Sequence, residues 1–278
     1  MSNHIPTFQY KISLGQNFLF DQDLLHRLVD QTQVGEEDIV LEIGAGRGDL
    51  TQALSQRCSR VIAVEIDERL EPVLKERFAS TSNVTIVMGD IMNLDIAALM
   101  GESSSFHIVA NLPYYLTTPI LTKLFHLNLP IKSVNVMVQK EAAQRVMAQP
   151  GTPEYGPLAV LAALRGMPKA TLLVPARLFT PPPKVDSIFL VIPFFDTPQV
   201  SVKEPGLFYK VLGAAFQMRR KTLANNLVSV FGMPREDANR LITACGLDER
   251  VRGERLGLDN FARLTQVIHK YITQQTKP

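Results

Sequence analysis

The chain has 278 residues, enough to bury an ample core in one large domain with a smaller attachment. Its 29 Lys and Arg residues nearly balance 27 Asp and Glu residues, and no apolar run approaches the roughly 20 residues that span a bilayer. Met1–Pro6 lacks the charged and apolar regions of a signal peptide, so we expect a cytoplasmic protein rather than a membrane or secreted one.

The first predicted element is an extended segment over residues 7–19, which closes with Gly15-Gln16-Asn17-Phe18-Leu19. Asp21 follows it and is expected to cap a helix by accepting hydrogen bonds from free backbone N–H groups. That helix has an apolar stripe at helical spacing, formed by Leu24, Leu25, Leu28 and Val29.

A strand, a glycine loop and a helix follow one another next: Ile39–Ile43, Gly44–Gly48 and the turns that begin at Asp49. This arrangement lets a nucleotide-like ligand approach the backbone closely. A dinucleotide loop requires glycine or alanine where this chain has Asp49, and the third glycine here comes one place early. The G-x-G-x-G spacing therefore favours S-adenosylmethionine, which has no pyrophosphate to place at a helix N-terminus.

Two further predicted strands each end at an acidic residue. Val61–Val64 leads into Glu65, whose carboxylate can accept hydrogen bonds from both ribose hydroxyls of an adenosyl group. Val84–Met88 leads into Gly89-Asp90, where a carboxylate can reach an adenine amine. The alternatives are a solvated strand end for Glu65 and a helix cap for Asp90. Their common position at the carboxyl edge of a parallel sheet, where open α/β sheets bind ligands, favours a cofactor site.

A fourth strand, Ile108–Ala110, leads directly into Asn111-Leu112-Pro113-Tyr114. The Asn111 side-chain oxygen can accept a hydrogen bond from an exocyclic amine. Pro113 lacks an N–H and fixes the chain, so that a neighbouring carbonyl can point at the same amine. Tyr114 offers a face for a planar ring to stack on. The alternative is a proline turn in which Tyr114 and Tyr115 are simply packed.

Strand and helix patterns continue to alternate downstream, which predicts a doubly wound α/β sheet. A buried strand over Ser133–Val138 leads into a helix through Met147, and another helix runs from Pro157 to about Leu164. Ala170–Val174 and Ser187–Ile192 are predicted to pair as late strands.

The loop between these late strands contains Phe179-Thr180-Pro181-Pro182-Pro183. Three consecutive prolines hold such a loop stiff and extended. We therefore expect the Phe179 ring to be presented as a second stacking face opposite Tyr114. The alternative is a ring that is buried in the core.

The tail is predicted to be a separate domain, with residues 1–198 forming the sheet domain and residues 199–278 a small all-helical domain. Three helices are expected in it. They run from Leu207 to about Val230, from Pro234 to Cys245, and onward from Asp259.

Positive charge is concentrated in this tail. Residues 202–278 carry 13 Lys and Arg residues against 7 Asp and Glu residues, and residues 1–201 carry 16 against 20. Neighbouring helical residues point about 100° apart, so at least two of Arg219, Arg220 and Lys221 must face solvent or phosphate. The tail is therefore expected to bind nucleic acid, unless this is an ordinary solvated helix face.

The remaining chemistry-bearing residue types do not form a recognisable site. The two cysteines, Cys58 and Cys245, lie far apart, and the five histidines are scattered. We therefore expect no metal site, and we expect reduced thiols.

Together these motifs resemble those of the KsgA-type ribosomal RNA adenine dimethyltransferases. The likeness covers almost the whole chain, and its Gln-Asn-Phe-Leu and Phe-Thr-Pro-Pro-Pro-Lys-Val-Asp-Ser segments are far more specific than a glycine loop. The matching stretches are Gly15–Leu19, Glu42–Gly48, Glu65–Asp67, Gly89–Asp90, Asn111–Tyr114, Gln139–Glu141, Phe179–Ser187 and Phe216–Leu223.

The resemblance implies a Rossmann-like methyltransferase sheet that uses S-adenosyl-L-methionine, and an RNA-binding helical domain. The implied reaction is dimethylation of the N6 amines of two adjacent adenosines near the 3′ end of 16S (small-subunit) rRNA, during ribosome biogenesis. The implied partner is an immature 30S particle, and the implied state is a monomer. Asn111, Pro113, Tyr114 and Phe179 would act on the target base. The implied cofactor site is lined by Asn17, Leu19, Gly44, Gly46, Glu65, Ile66, Asp90, Ile91 and Asn111.

One departure and two alternatives qualify this interpretation. The family often has paired basic residues where this chain has Tyr10-Lys11, which weakens the case that the leading segment grips RNA. Large-subunit rRNA adenine dimethyltransferases of the antibiotic-resistance type share the glycine loop and the Asn-Leu-Pro-Tyr motif. A chain that serves mainly as an RNA-binding assembly factor is the second alternative, although the intact Glu65, Asp90 and Asn111 argue against lost catalysis.

Overall fold

The structure is a computed structural model, and it describes residues 15–101 and 105–275. Most of the extended segment predicted over residues 7–19, including Tyr10-Lys11, lies outside the described residues. Within the described ranges, no helix is both long enough and apolar enough to cross a membrane.

A mostly parallel sheet forms the centre of the first part of the chain. The described strands are β1 (Phe18–Leu19), β2 (Ile39–Ile43), β3 (Arg60–Glu65), β4 (Val84–Met88), β5 (Phe106–Asn111), β6 (Ile131–Gln139), β7 (Lys169–Val174), β8 (Phe179–Thr180) and β9 (Ser187–Pro193). The large sheet has the order β4-β3-β2-β5-β6-β9-β7, while β1 pairs with β8 alone. Strands β2 to β6 are parallel, and β9 is antiparallel to both β6 and β7. The predicted α/β sheet with paired late strands is confirmed.

The register of the parallel strands aligns their carboxyl ends. Ile43 at the end of β2 is opposite Val64 on β3 and Ala110 on β5. Glu65 at the end of β3 is opposite Met88 at the end of β4. The glycine loop and the polar residues that follow these positions therefore meet at one edge of the sheet, as the sequence predicts.

Helices follow the strands in alternation. They are α1 (Gln22–Gln31), α2 (Asp49–Ser55), α3 (Glu71–Arg77), α4 (Ile96–Met100), α5 (Thr117–His126), α6 (Lys140–Met147), α7 (Pro157–Arg165), α8 (Pro205–Gln217), α9 (Leu223–Phe231), α10 (Arg235–Ala244) and α11 (Leu258–Gln275). The start of α1 is as predicted, because Asp21 Oδ1 accepts a hydrogen bond from the Leu24 N–H at 3.0 Å. The four apolar side chains predicted for its stripe are all buried.

The central strands are buried on both faces. In β2 the four residues from Val40 to Ile43 are buried, and in β3 so are the five from Val61 to Glu65. Strands with both faces covered are nearly continuous apolar runs. Glu42 is the exception within β2, since it is a fully buried carboxyl among apolar neighbours.

The chain divides into two compact units. One contains the sheet and extends through Ala143 and again over Met167–Phe194, and the other joins Gln144–Gly166 to the residues from Phe195 onward. Within the second unit the Tyr155 hydroxyl donates to the Leu256 carbonyl at 2.6 Å. The predicted domain boundary at residue 198 is close to Phe195, where the chain enters the second unit for the second time. The prediction did not assign Gln144–Gly166 to that unit.

The prediction of a single helix from Leu207 to about Val230 is wrong. The chain forms α8 and α9 instead, with a turn between them. Met218 leaves the helical conformation with φ −126° and ψ 82°. Thr222 then caps α9, because its hydroxyl accepts a hydrogen bond from the Asn225 N–H at 3.4 Å.

The break lets the two halves of the apolar stripe pack on each other. Asn226 in α9 is fully buried, and its amide donates to the Ala215 carbonyl in α8 at 3.1 Å. The three adjacent cations at 219–221 occupy the turn, where all three are exposed. The described tail therefore has four helices from Pro205 onward rather than three.

Candidate active site

An open cleft lies at the carboxyl edge of the sheet. Its empty volume is about 930 Å³ when the open mouth is included. Eight of the predicted site residues line it, namely Asn17, Leu19, Gly44, Gly46, Glu65, Ile66, Asn111 and Pro113.

The glycine loop has no room for side chains at two of its positions. Gly46 has φ 59°, and a methyl group added there would lie 2.9 Å from the Phe18 ring. Gly48 has φ 84°, and a methyl group there would lie 2.6 Å from the Phe78 ring. Glycine is therefore required by both backbone conformation and space, because the Phe18 and Phe78 rings fill the room that a side chain would need.

The Glu65 carboxylate is held by the backbone around it. Its Oε2 accepts from the Gly46 N–H at 2.7 Å, and its Oε1 accepts from the N–H groups of Ile66 at 2.9 Å and Asp67 at 2.8 Å. A carboxylate has about four acceptor positions, so one remains on Oε2. Burial raises the pKa of the Glu65 carboxyl above its ordinary value, although the three backbone N–H groups oppose that rise.

The surroundings of Glu65 and the glycine loop can accommodate the adenosyl part of S-adenosylmethionine. Oε2 of Glu65 can accept a further hydrogen bond from a hydroxyl, and the glycine loop leaves space for it beside the backbone. The neighbouring Ile66 side chain is 45% exposed, so it offers an apolar surface to a flat ring.

Asn111, the last residue of β5, has a fixed amide orientation. Its Nδ2 donates to the Asn17 carbonyl at 2.9 Å. A carbonyl oxygen can accept but not donate, so the amide must present its nitrogen to Asn17 and its oxygen elsewhere. Within the described residues no group donates to that oxygen. Asn111 Oδ1 is therefore available to accept from a ligand.

The two carbonyls that follow Asn111 differ in availability. The Pro113 carbonyl already accepts from the Leu116 N–H at 3.0 Å and from the Thr117 hydroxyl at 3.3 Å. The Leu112 carbonyl accepts no hydrogen bond from residues 15–101 or 105–275. The neighbouring carbonyl expected as an acceptor for an amine could be that of Leu112 or of Pro113, and the Leu112 carbonyl is the one that is free among the described residues.

The two tyrosines of the motif have different surroundings. Tyr114 is half-buried, and its hydroxyl lies 2.8 Å from the Ser187 hydroxyl. Burial raises the pKa of the Tyr114 phenol, so the hydroxyl stays protonated at neutral pH. Tyr115 is 56% exposed, and its ring lies close to Gly15. Tyr114 is therefore anchored at its hydroxyl end, and its neighbour is the more exposed ring.

The expectation that Phe179 is presented to a ligand is wrong. Phe179 is 2% exposed and belongs to the hydrophobic core. It lies opposite Leu19 in the short antiparallel ladder of β1 and β8, which directs its ring inward. Pairing with a distant strand, rather than the proline loop, decides which way the ring faces.

Asp90 and Ile91 follow β4 but do not line the cleft. Asp90 Oδ1 accepts from the Met92 N–H at 2.8 Å, and its Oδ2 accepts from the Asn93 amide at 3.1 Å. Ile91 is 6% exposed. Asp90 therefore caps a turn next to the cleft rather than a helix, which was the alternative considered for it, and its role toward a ligand stays a prediction.

The predicted cations lie in the second unit and are not equivalent. Arg219 Nη2 donates to the carbonyls of Pro153 at 2.8 Å and Tyr155 at 3.3 Å, and its Nε lies 3.9 Å from Glu254. Arg219 thus contributes to the packing of its own unit. Arg220 and Lys221 are exposed beside it.

Comparison with known proteins identifies the family. The model of the ribosomal RNA adenine dimethylase family matches residues 7–270. The ribosomal RNA small subunit methyltransferase A of Caldanaerobacter subterraneus subsp. tengcongensis is 40% identical over 263 residues, which cover 94% of this chain and 97% of that protein. The protein of that name from Bacillus mycoides is 41% identical over 272 residues, covering 95% and 93%. The chain belongs to the ribosomal RNA adenine dimethylase family.

Membership in the ribosomal RNA adenine dimethylase family confirms the resemblance, the predicted enzyme class and the predicted methyl donor, S-adenosyl-L-methionine.

Two solved structures share the fold. A dimethyladenosine transferase from Plasmodium falciparum has a TM-score of 0.77 at 23% identity and covers 91% of this chain and 98% of that chain. The 23S rRNA methyltransferase ErmE has a TM-score of 0.66 at 23% identity and covers 91% and 100%.

Several residues of this adenine dimethylase that were not among the predicted site residues contribute to the site. Gln16 donates to Asp67 Oδ2 at 2.7 Å, which ties the segment before β1 to the end of β3. Met137 and Phe189 form part of the cleft lining from the inner strands. The apolar strand pattern marked these two as buried, but only the assembled sheet shows that they face the cleft.

Glu42, fully buried in β2 ahead of the glycine loop, is a further feature that was not predicted. Neither of its carboxyl oxygens has a hydrogen-bond partner among the described residues. The Thr51 hydroxyl lies beside it, but without the geometry of a hydrogen bond. Burial raises the pKa of the Glu42 carboxyl to about 8. The carboxyl is therefore mostly protonated at neutral pH, which avoids an isolated buried charge.

Proposed function

We propose that this enzyme dimethylates the N6 amines of two adjacent adenosines near the 3′ end of small-subunit rRNA. The observation that supports the proposal most strongly is the pair of acceptors after β5. Asn111 Oδ1 and the Leu112 carbonyl are both available, and they come from neighbouring residues at the edge of the cleft. An exocyclic amine has two N–H groups, and these two oxygens can accept one from each.

The methyl donor would lie in the same cleft. We assign Asn17, Leu19, Gly44, Gly46, Glu65, Ile66 and Asn111 to its binding, with Asp90 and Ile91 at the adenine end. S-adenosyl-L-methionine supplies an electrophilic methyl group that leaves a neutral thioether. Glu65 would hold the ribose through the free position on Oε2, and Asp90 would accept from the adenine amine of the cofactor.

The residues after β5 would prepare the target amine for attack. Its lone pair is delocalised into the purine ring, so the free amine is a poor nucleophile. Hydrogen bonds from its two N–H groups to Asn111 and Leu112 would favour a more tetrahedral nitrogen and localise the lone pair. Correct placement of two reacting groups can supply roughly 7–11 kcal/mol of the barrier, so a strong base is not required.

The target base must leave its stack to reach the cleft. Tyr114 would recover part of the unstacking cost by stacking with the everted base, at about 1–3 kcal/mol per base. Its hydroxyl contact with Ser187 fixes the ring before the base arrives, so little side-chain entropy is lost on binding.

The helical unit would hold the RNA backbone. Arg220 and Lys221 are exposed on the turn between α8 and α9, where two phosphates can reach them. We further propose that the protein acts as a cytoplasmic monomer without a metal on an immature 30S particle, as the names of its relatives suggest for the small subunit.

Methylation of defined substrates tests this function. Purified enzyme with labelled S-adenosylmethionine is given immature small subunits in one arm and naked large-subunit rRNA in the other, and mass spectrometry counts N6,N6-dimethyladenosine. We expect two adjacent dimethylated adenosines in the small-subunit arm. Labelling confined to the large-subunit arm would support the antibiotic-resistance type instead, and RNA binding without any methylation would support an assembly factor.

A further inference from the structure

Lys123 on α5 makes an unusual set of contacts outside the cleft. Its ammonium donates to the backbone carbonyls of Ile91 at 2.7 Å, Met92 at 2.9 Å and Leu94 at 3.0 Å. An ammonium group has three hydrogens, so all of its donors are used on one short segment. Lys123 is half-buried, and within the described residues its ammonium donates to these carbonyls rather than to a carboxylate.

The segment that Lys123 holds is the turn after β4. Asp90 folds this turn from within, through its hydrogen bonds to the Met92 N–H and the Asn93 amide. The turn begins beside the ribose site, because the Gly89 N–H donates to the Glu65 carbonyl at 2.8 Å. Asp90 and Lys123 therefore both fix this one turn, next to the cleft.

The three carbonyl oxygens converge on a single point. Without a cation there, their negative ends would repel one another, and each would lose its hydrogen-bond donor. The turn would then relax, and the Asp90 side chain would move with it. The charge of Lys123 thus acts on the position of Asp90 without either group touching the other.

Lys123 also connects this turn to the base-binding motif. Helix α5 begins at Thr117, three residues after Tyr114, and the Thr117 hydroxyl donates to the Pro113 carbonyl at 3.3 Å. Helix α5 thus contacts the Asn111 motif through its first residue and carries the lysine that holds the Asp90 turn.

We propose that Lys123 is a positioning residue that sets the enzyme's preference for adenine in its cofactor, by holding the Asp90 turn beside the cleft, where the proposed function places the adenine. This role depends on the proposed function, in which Asp90 accepts from the adenine amine. Lys123 itself does not line the cleft. A residue with this role affects recognition of the amine, whereas a residue that only stabilises the fold affects all ligands alike.

Calorimetry with two cofactor analogues separates these roles. S-adenosylhomocysteine carries the adenine amine, and S-inosylhomocysteine carries a carbonyl oxygen in its place. The wild type should prefer the adenosyl compound, and Lys123→Met should lower that preference about tenfold by weakening the adenosyl compound alone. Lys132→Met is the matched control, since Lys132 pairs with Asp38 away from this turn, and it should leave the preference unchanged.

Each outcome decides between the alternatives. An unchanged preference in Lys123→Met, or an equal loss for both compounds, would overturn the role of Lys123. A wild type that binds neither compound would contradict the proposed function itself. If Lys123→Met does not fold, Lys123→Arg provides the same test. A planar guanidinium keeps the charge but cannot serve three carbonyls that meet at a point, so a partial loss of preference is expected.

Discussion

The side-chain nitrogen of Asn111 donates a hydrogen bond to the backbone carbonyl of Asn17, which lies 94 residues earlier in the chain. This contact joins the end of β5 to the segment before β1, and it points the Asn111 oxygen away from Asn17. The amide nitrogen of Asn111 therefore has a structural role, and its amide oxygen is free to accept a hydrogen bond from a ligand.

Replacing Asn111 tests the role of its free amide oxygen. Asn111→Ala should lower methyl transfer by at least about 100-fold, because the target amine then has one acceptor fewer in the transition state. Binding of S-adenosylhomocysteine should weaken by much less. Single-turnover methylation and calorimetry measure the two effects. Near-normal turnover in this variant would remove Asn111 from its assigned role.

Tyr114 is expected to act through its ring rather than through its hydroxyl. Tyr114→Phe should keep most of the activity, because it removes only the hydrogen bond with the Ser187 hydroxyl. Tyr114→Ala should raise KM for the RNA by about 5-fold to 150-fold, which corresponds to a stacking energy of about 1–3 kcal/mol. Steady-state kinetics on immature small subunits compares the pair. Equal losses in both variants would point to the hydroxyl instead.

The cationic turn of the helical unit is expected to bind phosphates. Arg220→Ala combined with Lys221→Ala should weaken RNA binding and flatten its salt dependence, by about 0.7–0.9 in slope for each phosphate that is no longer neutralised. The slope of log affinity against log salt is the measurement. Arg240→Ala provides a control, because Arg240 is exposed but paired with Asp237 at 2.7 Å, and its removal should leave the slope unchanged. An unchanged slope in the double variant would exclude this turn as the RNA surface.

Glu42 should make the stability of the enzyme depend on pH. Its pKa is raised from an ordinary 4.5 to about 8, so between these pH values the folded state keeps a proton that the unfolded state releases. The free energy of unfolding should therefore fall as pH rises through this window. Glu42→Gln cannot ionise, so it should gain stability relative to the wild type by up to about 1.4 kcal/mol per pH unit.

Urea denaturation at pH 5 and pH 8 checks the Glu42 prediction. The exposed Glu76→Gln serves as its control and should change the free energy of unfolding little at either pH. A difference between Glu42→Gln and the wild type that is the same at both pH values would show that the buried carboxyl does not titrate in this range.

The parts of the fold that could be predicted from sequence are those with a local signal. The glycine loop follows β2 at once, and the polar residues end their strands, so the parallel arrangement alone brings them to one edge. Asn111 was found in this way, since its amide follows an apolar strand and precedes a proline. Site residues that directly follow an apolar strand can therefore be predicted from the sequence.

The predictions that failed depend on contacts between distant residues. The direction of the Phe179 ring is set by its pairing with Leu19 in a ladder of two strands. The break between α8 and α9 is stabilised by Asn226, whose amide reaches Ala215 on the preceding helix. Neither pairing has a local sequence signal, although Thr222 is a residue type that commonly begins helices.

Glu65 combines two tasks that are separate in many binding sites. Three of its acceptor positions fasten the glycine loop and the start of the next turn, which leaves one for the cofactor. A substitution at this position therefore disturbs the hydrogen bonds to the Gly46, Ile66 and Asp67 N–H groups together with the ligand contact. A failure of Glu65 variants to bind cofactor consequently measures architecture as much as recognition, and the ribose contact has to be probed from the ligand's side, with deoxygenated cofactors.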